Sequence, residues 1–143
     1  IETGRGSANF HLAPADLSGV RLLLKALKRH ETVGLLPDQV PGMGEGQWAD
    51  FFGRPAYTMT LGARLSETAR TTVLLTFAER LPGGKGFNLR FSAPTQPIVG
   101  TQAERVVAIN RALEDLIRSC PEQYLWGYNR YKAPRGAPPP AQG

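Results

Sequence analysis

Thr71-Thr72-Val73-Leu74-Leu75-Thr76-Phe77-Ala78, then Leu81-Pro82-Gly83-Gly84-Lys85-Gly86, then Phe87-Asn88-Leu89-Arg90-Phe91-Ser92, is the stretch that decides the fold class. The first run is rich in Thr, Val, Leu and Phe, which predicts a strand. The middle run concentrates turn residues. In the last, Phe87, Leu89 and Phe91 alternate with Asn88, Arg90 and Ser92, the period of a half-buried strand. Together they predict a β-hairpin.

On the carboxyl side, Thr101 to Ser119 reads as a helix with Val106, Ile109, Leu113 and Leu116 on its apolar face. On the amino side, Thr58 to Ala69 reads as a helix with Leu61 and Leu65 inward. Phe51-Phe52-Gly53-Arg54-Pro55 is an aromatic turn, and Pro41 to Gln47, with three glycines, a loop. Thr32-Val33-Gly34-Leu35-Leu36, stopped by Pro37, predicts a buried strand. Further back, Asp16 is a candidate N-cap. It precedes Leu17, Val20, Leu24 and Leu27 at helical spacing, with Lys25, Lys28 and Arg29 suited to the negative end of the helix dipole. The first ten residues read as loop.

The order helix, strand, helix, strand, strand, helix predicts an α/β fold: a small mixed sheet with flanking helices. Sheets carry about four to six strands. Three strands therefore point to the C-terminal part of a larger fold. Residues 133–143 hold four prolines and two glycines and read as a disordered tail behind a domain over residues 1–132.

Composition narrows the function classes. The chain has 143 residues, the size of one domain, with 17 Lys and Arg against 12 Asp and Glu, a formal charge of +5. That balance favours anionic partners: phosphorylated lipid, an anionic membrane, an acidic carrier protein or nucleic acid. The basic residues are not interleaved with aromatics in an RNA-binding pattern, which speaks against nucleic acid. Cys120 is the only cysteine, so an intramolecular disulfide is excluded and a structural role is expected. With one cysteine, His11 and His30 make no Cys/His metal cluster. No metal and no cofactor is expected. No run of about 18 apolar residues is present, and no signal peptide is visible. The opening Ile1-Glu2-Thr3-Gly4 reads as the middle of a longer sequence.

Two blocks carry a family resemblance. One is Gly34-Leu35-Leu36-Pro37-Asp38-Gln39 followed by Phe51-Phe52-Gly53-Arg54-Pro55-Ala56 and Thr58. The other is Pro121-Glu122-Gln123-Tyr124-Leu125-Trp126 followed by Asn129-Arg130-Tyr131-Lys132. Between them stand Arg80 and the Gly84-Lys85-Gly86 turn. From about Arg5 to Lys132 the chain resembles the lipid A biosynthesis acyltransferases, a branch of the lysophospholipid acyltransferase superfamily.

The resemblance implies transfer of a fatty acyl chain from acyl carrier protein to a hydroxyl of a lipid A precursor, in lipopolysaccharide biosynthesis. It places that reaction at the cytoplasmic face of the inner membrane of a Gram-negative bacterium. It also implies an amino-terminal membrane anchor and a histidine followed five positions later by an acid, well upstream of the Pro-Asp block. Such a histidine removes the proton of a poorly nucleophilic hydroxyl, worth about 10²–10⁴-fold, while the acid orients the imidazole.

His11 and Asp16 match that spacing, but His11 lies only 27 positions before Asp38 and its surroundings lack the family's glycine and aromatic residue. Asp16 has a sufficient task as a helix cap. The expectation is that this chain lacks the catalytic dyad and is inactive alone.

The resemblance assigns Asp38 and Arg5 to the catalytic machinery, with a turn aspartate and a solvated loop arginine as the plainer alternatives. Arg54, Arg80, Arg130 and Lys132 become candidates for the anionic substrate, because guanidinium suits bidentate phosphate contact; surface charge is the alternative. Phe51 and Phe52 are candidates for an acyl groove, or simply core. Trp126 reads as packing. Two other functions stay open: a non-catalytic binding module for an anionic phospholipid or nucleic acid, and an esterase-like enzyme using His11 and Asp16.

Overall fold

The computed structural model describes residues 10–42 and 44–140. The chain divides into two units, Ile1–Gly34 and Leu35–Gly143. Arg5 lies outside the described residues.

The first unit holds α1 (Leu17–Lys28). Asp16 caps it: one carboxylate oxygen accepts from Ser18 N at 2.8 Å, Gly19 N at 3.1 Å and Ser18 Oγ at 2.6 Å. The Ser18 hydroxyl, followed by the Gly19 amide, holds the carboxyl below its ordinary range. Gly19 packs so closely on the Pro14 carbonyl that no side chain fits there. At the other end His30 sits at φ 61°, with His30 N donating to Leu27 O and Glu31 N to Ala26 O, both at 3.0 Å. This is a Schellman closure with histidine where glycine is usual.

The run Thr32–Leu36, expected as a buried strand, is irregular, and Leu36 is exposed. An extended run becomes a strand only where a neighbour takes its backbone groups, and among the described residues none does.

The second unit begins with a hairpin that sequence patterning missed. Strands β1 (Gly46–Phe51) and β2 (Arg54–Met59) pair antiparallel, from Gly46 opposite Met59 to Phe51 opposite Arg54. The expected loop over Pro41–Gln47 therefore ends at Glu45. The expected helix over Thr58–Ala69 shrinks to α2 (Leu61–Ser66). Two residues, Phe52 and Gly53, turn the chain at φ 48° and 72°, as a two-residue type I′ turn requires. Phe51–Pro55 is thus a turn, as expected, but one that joins two strands. Ala49, Phe51, Ala56 and Thr58 are buried, and on the other face the Trp48 and Tyr57 rings meet edge-on at 5.4 Å.

The second hairpin joins β3 (Leu75–Arg80) and β4 (Phe87–Ser92) through a single 3-10 turn at Pro82–Gly84. The strand expected from Thr71 begins four residues later, where pairing with Ser92 starts. β4 is present but not half-buried: Phe87, Leu89 and Phe91 are each 63% exposed, because no described element covers their face. The fold is α/β with flanking helices, and its sheet consists of two separate antiparallel pairs among the described residues.

Helix α3 (Gln102–Ser119) organises the unit. Thr101 N donates to Glu104 Oε2 at 2.7 Å and Glu104 N to Thr101 Oγ1 at 3.3 Å, a capping box. Val106, Ile109, Leu113 and Ile117 join Ala49, Phe51, Ala56 and Ala63 in the core, with Ile117 where Leu116 was expected. One buried position on this face is polar. Asn110 is fully buried; its Nδ2 donates to Asp50 O at 2.9 Å and Thr58 Oγ1 at 3.1 Å. Leaving buried acceptors unpaired costs about 1–3 kcal/mol. Asn110→Ala is therefore expected to lower the unfolding free energy by about 2 kcal/mol, measured by urea denaturation.

Candidate functional site

The segment after α3 builds the site. Pro121 breaks the helix and opens one 3-10 turn, Pro121–Gln123. Short turns then bring out an alternation of aromatic and basic residues, with Trp126 N donating to Tyr124 O and Arg130 N to Tyr128 O, both at 2.9 Å. Side chains fasten this segment to the hairpins. Tyr131 Oη donates to Phe51 O at 2.9 Å. Val40 N donates to Tyr128 Oη at 2.8 Å, which ties in the Pro37-Asp38 turn. Gln123 Nε2 donates to Arg80 O at 3.1 Å while its Oε1 accepts from Arg80 N at 2.7 Å.

Arg130 is the innermost fastening, only 2% exposed. It donates to Tyr57 O at 3.0 Å, Thr58 Oγ1 at 2.8 Å and Asn110 Oδ1 at 3.3 Å. Its Nε is buried without a partner. Burial pulls its pKa down, against the opposing influence of Tyr124 and Asp38. A guanidinium starts so high that it remains charged.

These fastenings frame a pocket of about 400 Å³, lined among others by Phe51, Arg54, Tyr124, Trp126, Arg130 and Tyr131. Arg54 lies over the Tyr131 ring at 4.1 Å, and Lys132 Nζ stands 5.3 Å from the Tyr128 ring centre. Both cations are exposed. Asp38 is half-buried beside the Tyr124 hydroxyl. Burial, followed by the Asp38 carboxylate, pushes that phenol up to about 12, while Arg130 opposes the shift.

The candidates from sequence thus divide. Asp38, Phe51, Arg54, Arg130 and Lys132 gather around the pocket. Phe51 is also core, at 1% exposure. Phe52 is half-buried beside Trp126 at 5.9 Å, with the Arg118 guanidinium 5.0 Å over its ring. Its backbone N donates to Glu114 Oε1 at 2.7 Å, which secures the turn. The Arg80 side chain is exposed and outside the pocket lining; only its backbone is engaged. Tyr124, Tyr128, Tyr131 and Asn110 were not singled out from sequence. The signal was the spacing of three tyrosines among Arg130 and Lys132: aromatic bodies with polar tips, placed next to cations. Among the described residues no group of three or more His, Cys, Asp or Glu stands ready for a metal ion, and no helix is long and apolar enough to cross a membrane.

A basic, aromatic-walled pocket on an α/β frame describes a protein that handles an anionic substrate. The sequence model of the bacterial lipid A biosynthesis acyltransferases matches residues 1–133, and the chain belongs to that family. It is 32% identical over 126 residues to the lipid A biosynthesis lauroyltransferase of Escherichia coli K12, covering 86% of this chain and 40% of that protein. The lipid A biosynthesis palmitoleoyltransferase of the same organism is 29% identical over 132 residues, covering 90% of this chain and 42% of that protein. A lipid A biosynthesis acyltransferase of Haemophilus influenzae is 28% identical over 121 residues, covering 82% and 39%. The chain spans about two fifths of the length of these relatives.

Two outcomes follow from the geometry. Arg130→Ala strands a carbonyl, a hydroxyl and an amide oxygen, and is expected to cost about 3 kcal/mol in urea unfolding. Tyr124 keeps its proton in the fold up to about 12, whereas a free tyrosine ionises near about 10. The unfolded chain therefore releases this proton first. The stability from the neutral phenol is fully present below about pH 10 and is lost as pH rises towards 12. Alkaline unfolding followed by circular dichroism is expected to show this loss, and Tyr124→Phe to remove it.

Proposed function

We propose that this chain forms the head-group end of an enzyme that moves a fatty acyl chain from acyl carrier protein to a hydroxyl of a lipid A precursor. The observation that carries this is the pocket: Arg54, Arg130 and Lys132 converge there, and none of them makes an ion pair among the described residues. Exposed Arg54 and Lys132 meet the phosphate groups of the precursor. Buried Arg130 adds positive potential from behind the wall, where low dielectric strengthens it. The aromatic rings exclude water and bear on the apolar part of the substrate.

In the reaction the acceptor oxygen bonds to the thioester carbonyl carbon, the carbon–sulfur bond breaks and the carrier thiol leaves. A base takes the hydroxyl proton. We assign no base to this chain: Asp16 is committed to capping α1, which leaves His11 without the orienting acid of a dyad. Asp38, beside Tyr124 and Arg130, orients substrate or catalytic groups, and Arg5 joins it on the resemblance. The membership supports a place at the cytoplasmic face of the inner membrane.

The same cations suit a second function, a non-catalytic module for an anionic lipid, and one experiment separates the two. Calorimetry with a phosphorylated lipid A precursor is expected to show binding that weakens about tenfold or more on Arg54→Ala and again on Lys132→Ala. Acyl transfer from lauroyl–acyl carrier protein by the chain alone is expected to be absent. Family-like turnover by the chain would overturn the missing base. Equal affinity for plain anionic phospholipid would favour the binding module.

A further inference from the structure

Phe87, Leu89 and Phe91 of β4 stand on one face of the second hairpin, each 63% exposed. Across the pair they lie opposite Arg80, Ala78 and Thr76. The other face is the occupied one: Leu75 and Phe77 are half-buried, and Arg90 Nε meets Glu79 Oε2 at 2.5 Å. Strict apolar alternation is the pattern of a strand covered on its apolar side. A two-stranded hairpin is also marginal by itself.

What covers this face must satisfy more than side chains. β3 and β4 each have one hydrogen-bonded neighbour among the described residues, so each leaves a row of backbone N–H and C=O groups open. A bilayer buries phenylalanine but cannot satisfy open backbone groups at its core. A protein element does both. The lone charge on the face, Arg80, stands at its end beside the turn, which leaves its middle uncharged, as the centre of a protein interface tends to be. The chain spans about two fifths of its relatives' length, so about three fifths of such a protein lies outside the matched stretch.

We infer that the Phe87–Leu89–Phe91 face and the open edges of β3 and β4 are the seam on which the amino-terminal part of an acyltransferase of this family docks, extending the sheet and covering its apolar side. This rests on the family membership and not on the head-group pocket.

The test uses the amino-terminal three fifths of the E. coli lauroyltransferase as the probe, titrated into this chain by calorimetry. A complex is expected, weakened at least about tenfold by Leu89→Glu, since a charge in an apolar interface centre is strongly unfavourable. Asn88→Glu, on the opposite face, is expected to leave it unchanged. Both positions are exposed, so both variants keep the fold, as circular dichroism checks. Hydrogen exchange is expected to slow along β4 in the complex. No complex, or a complex indifferent to Leu89→Glu, overturns the seam. So does a Leu89-dependent dimer of this chain, or Leu89-dependent flotation with phosphatidylglycerol vesicles, in place of the complex. Precursor binding at Arg54 is measured separately and stands or falls on its own.

Discussion

The second unit depends on one buried cation. Arg130 comes from a segment with little regular structure, yet its guanidinium reaches a strand carbonyl, a strand hydroxyl and a helix amide at once. None of these partners is a carboxylate. The desolvation of the charge is offset by three neutral acceptors and by Asp38 acting nearby. Such a site tolerates few alternatives. Lysine presents a point charge without the planar fork that reaches several acceptors together. An apolar residue would leave the acceptors stranded. The pocket inherits its shape from this arrangement, because the same segment carries Tyr124, Trp126 and Tyr131 to its walls.

Helix α3 relays that constraint to the first hairpin. Asn110 takes the Arg130 bond on one side and holds Asp50 O and Thr58 Oγ1 on the other. One turn on, Glu114 accepts the Phe52 amide and pairs with Arg118 at 2.9 Å. Phe52 sits in a left-handed conformation that glycine or asparagine adopts more readily. Glu114, the Phe51 and Trp126 rings and the Arg118 guanidinium together hold it there.

Much of this was legible in the sequence, and the failures have physical causes. The α3 face followed from its 3.6-residue period, and the α1 cap from Asp16. The second hairpin was marked by its glycine cluster and its alternation. The first was hidden because Gly42, Gly44 and Gly46 signal loop, while Leu61 and Leu65 extend a helical spacing backwards over residues that pair as strand. A Phe-Gly turn also lacks the usual Asn-Gly signature of its type. For the site, single residues were legible and their grouping was not. Asp38, Arg54, Arg130 and Lys132 were found by motif. That Arg130 lies inside and Arg54 outside depends on packing across some 70 residues of chain, as the Arg130–Thr58 bond shows, and no local pattern encodes it. Arg80 was singled out for its charge, whereas the structure uses its backbone.

That last feature has an evolutionary side. The Gln123 side chain reads the peptide group of residue 80 much as a neighbouring strand would, taking its N–H and supplying its C=O. Such a clasp is blind to the side chain it holds. Position 80 is therefore free to drift among strand-compatible residues, proline excepted, without loosening the hairpin. Position 123 has no such latitude, since only an amide of that length offers a donor and an acceptor together. Across a lineage the heritable burden of the contact falls on the glutamine, and the arginine is left open to recruitment for another purpose.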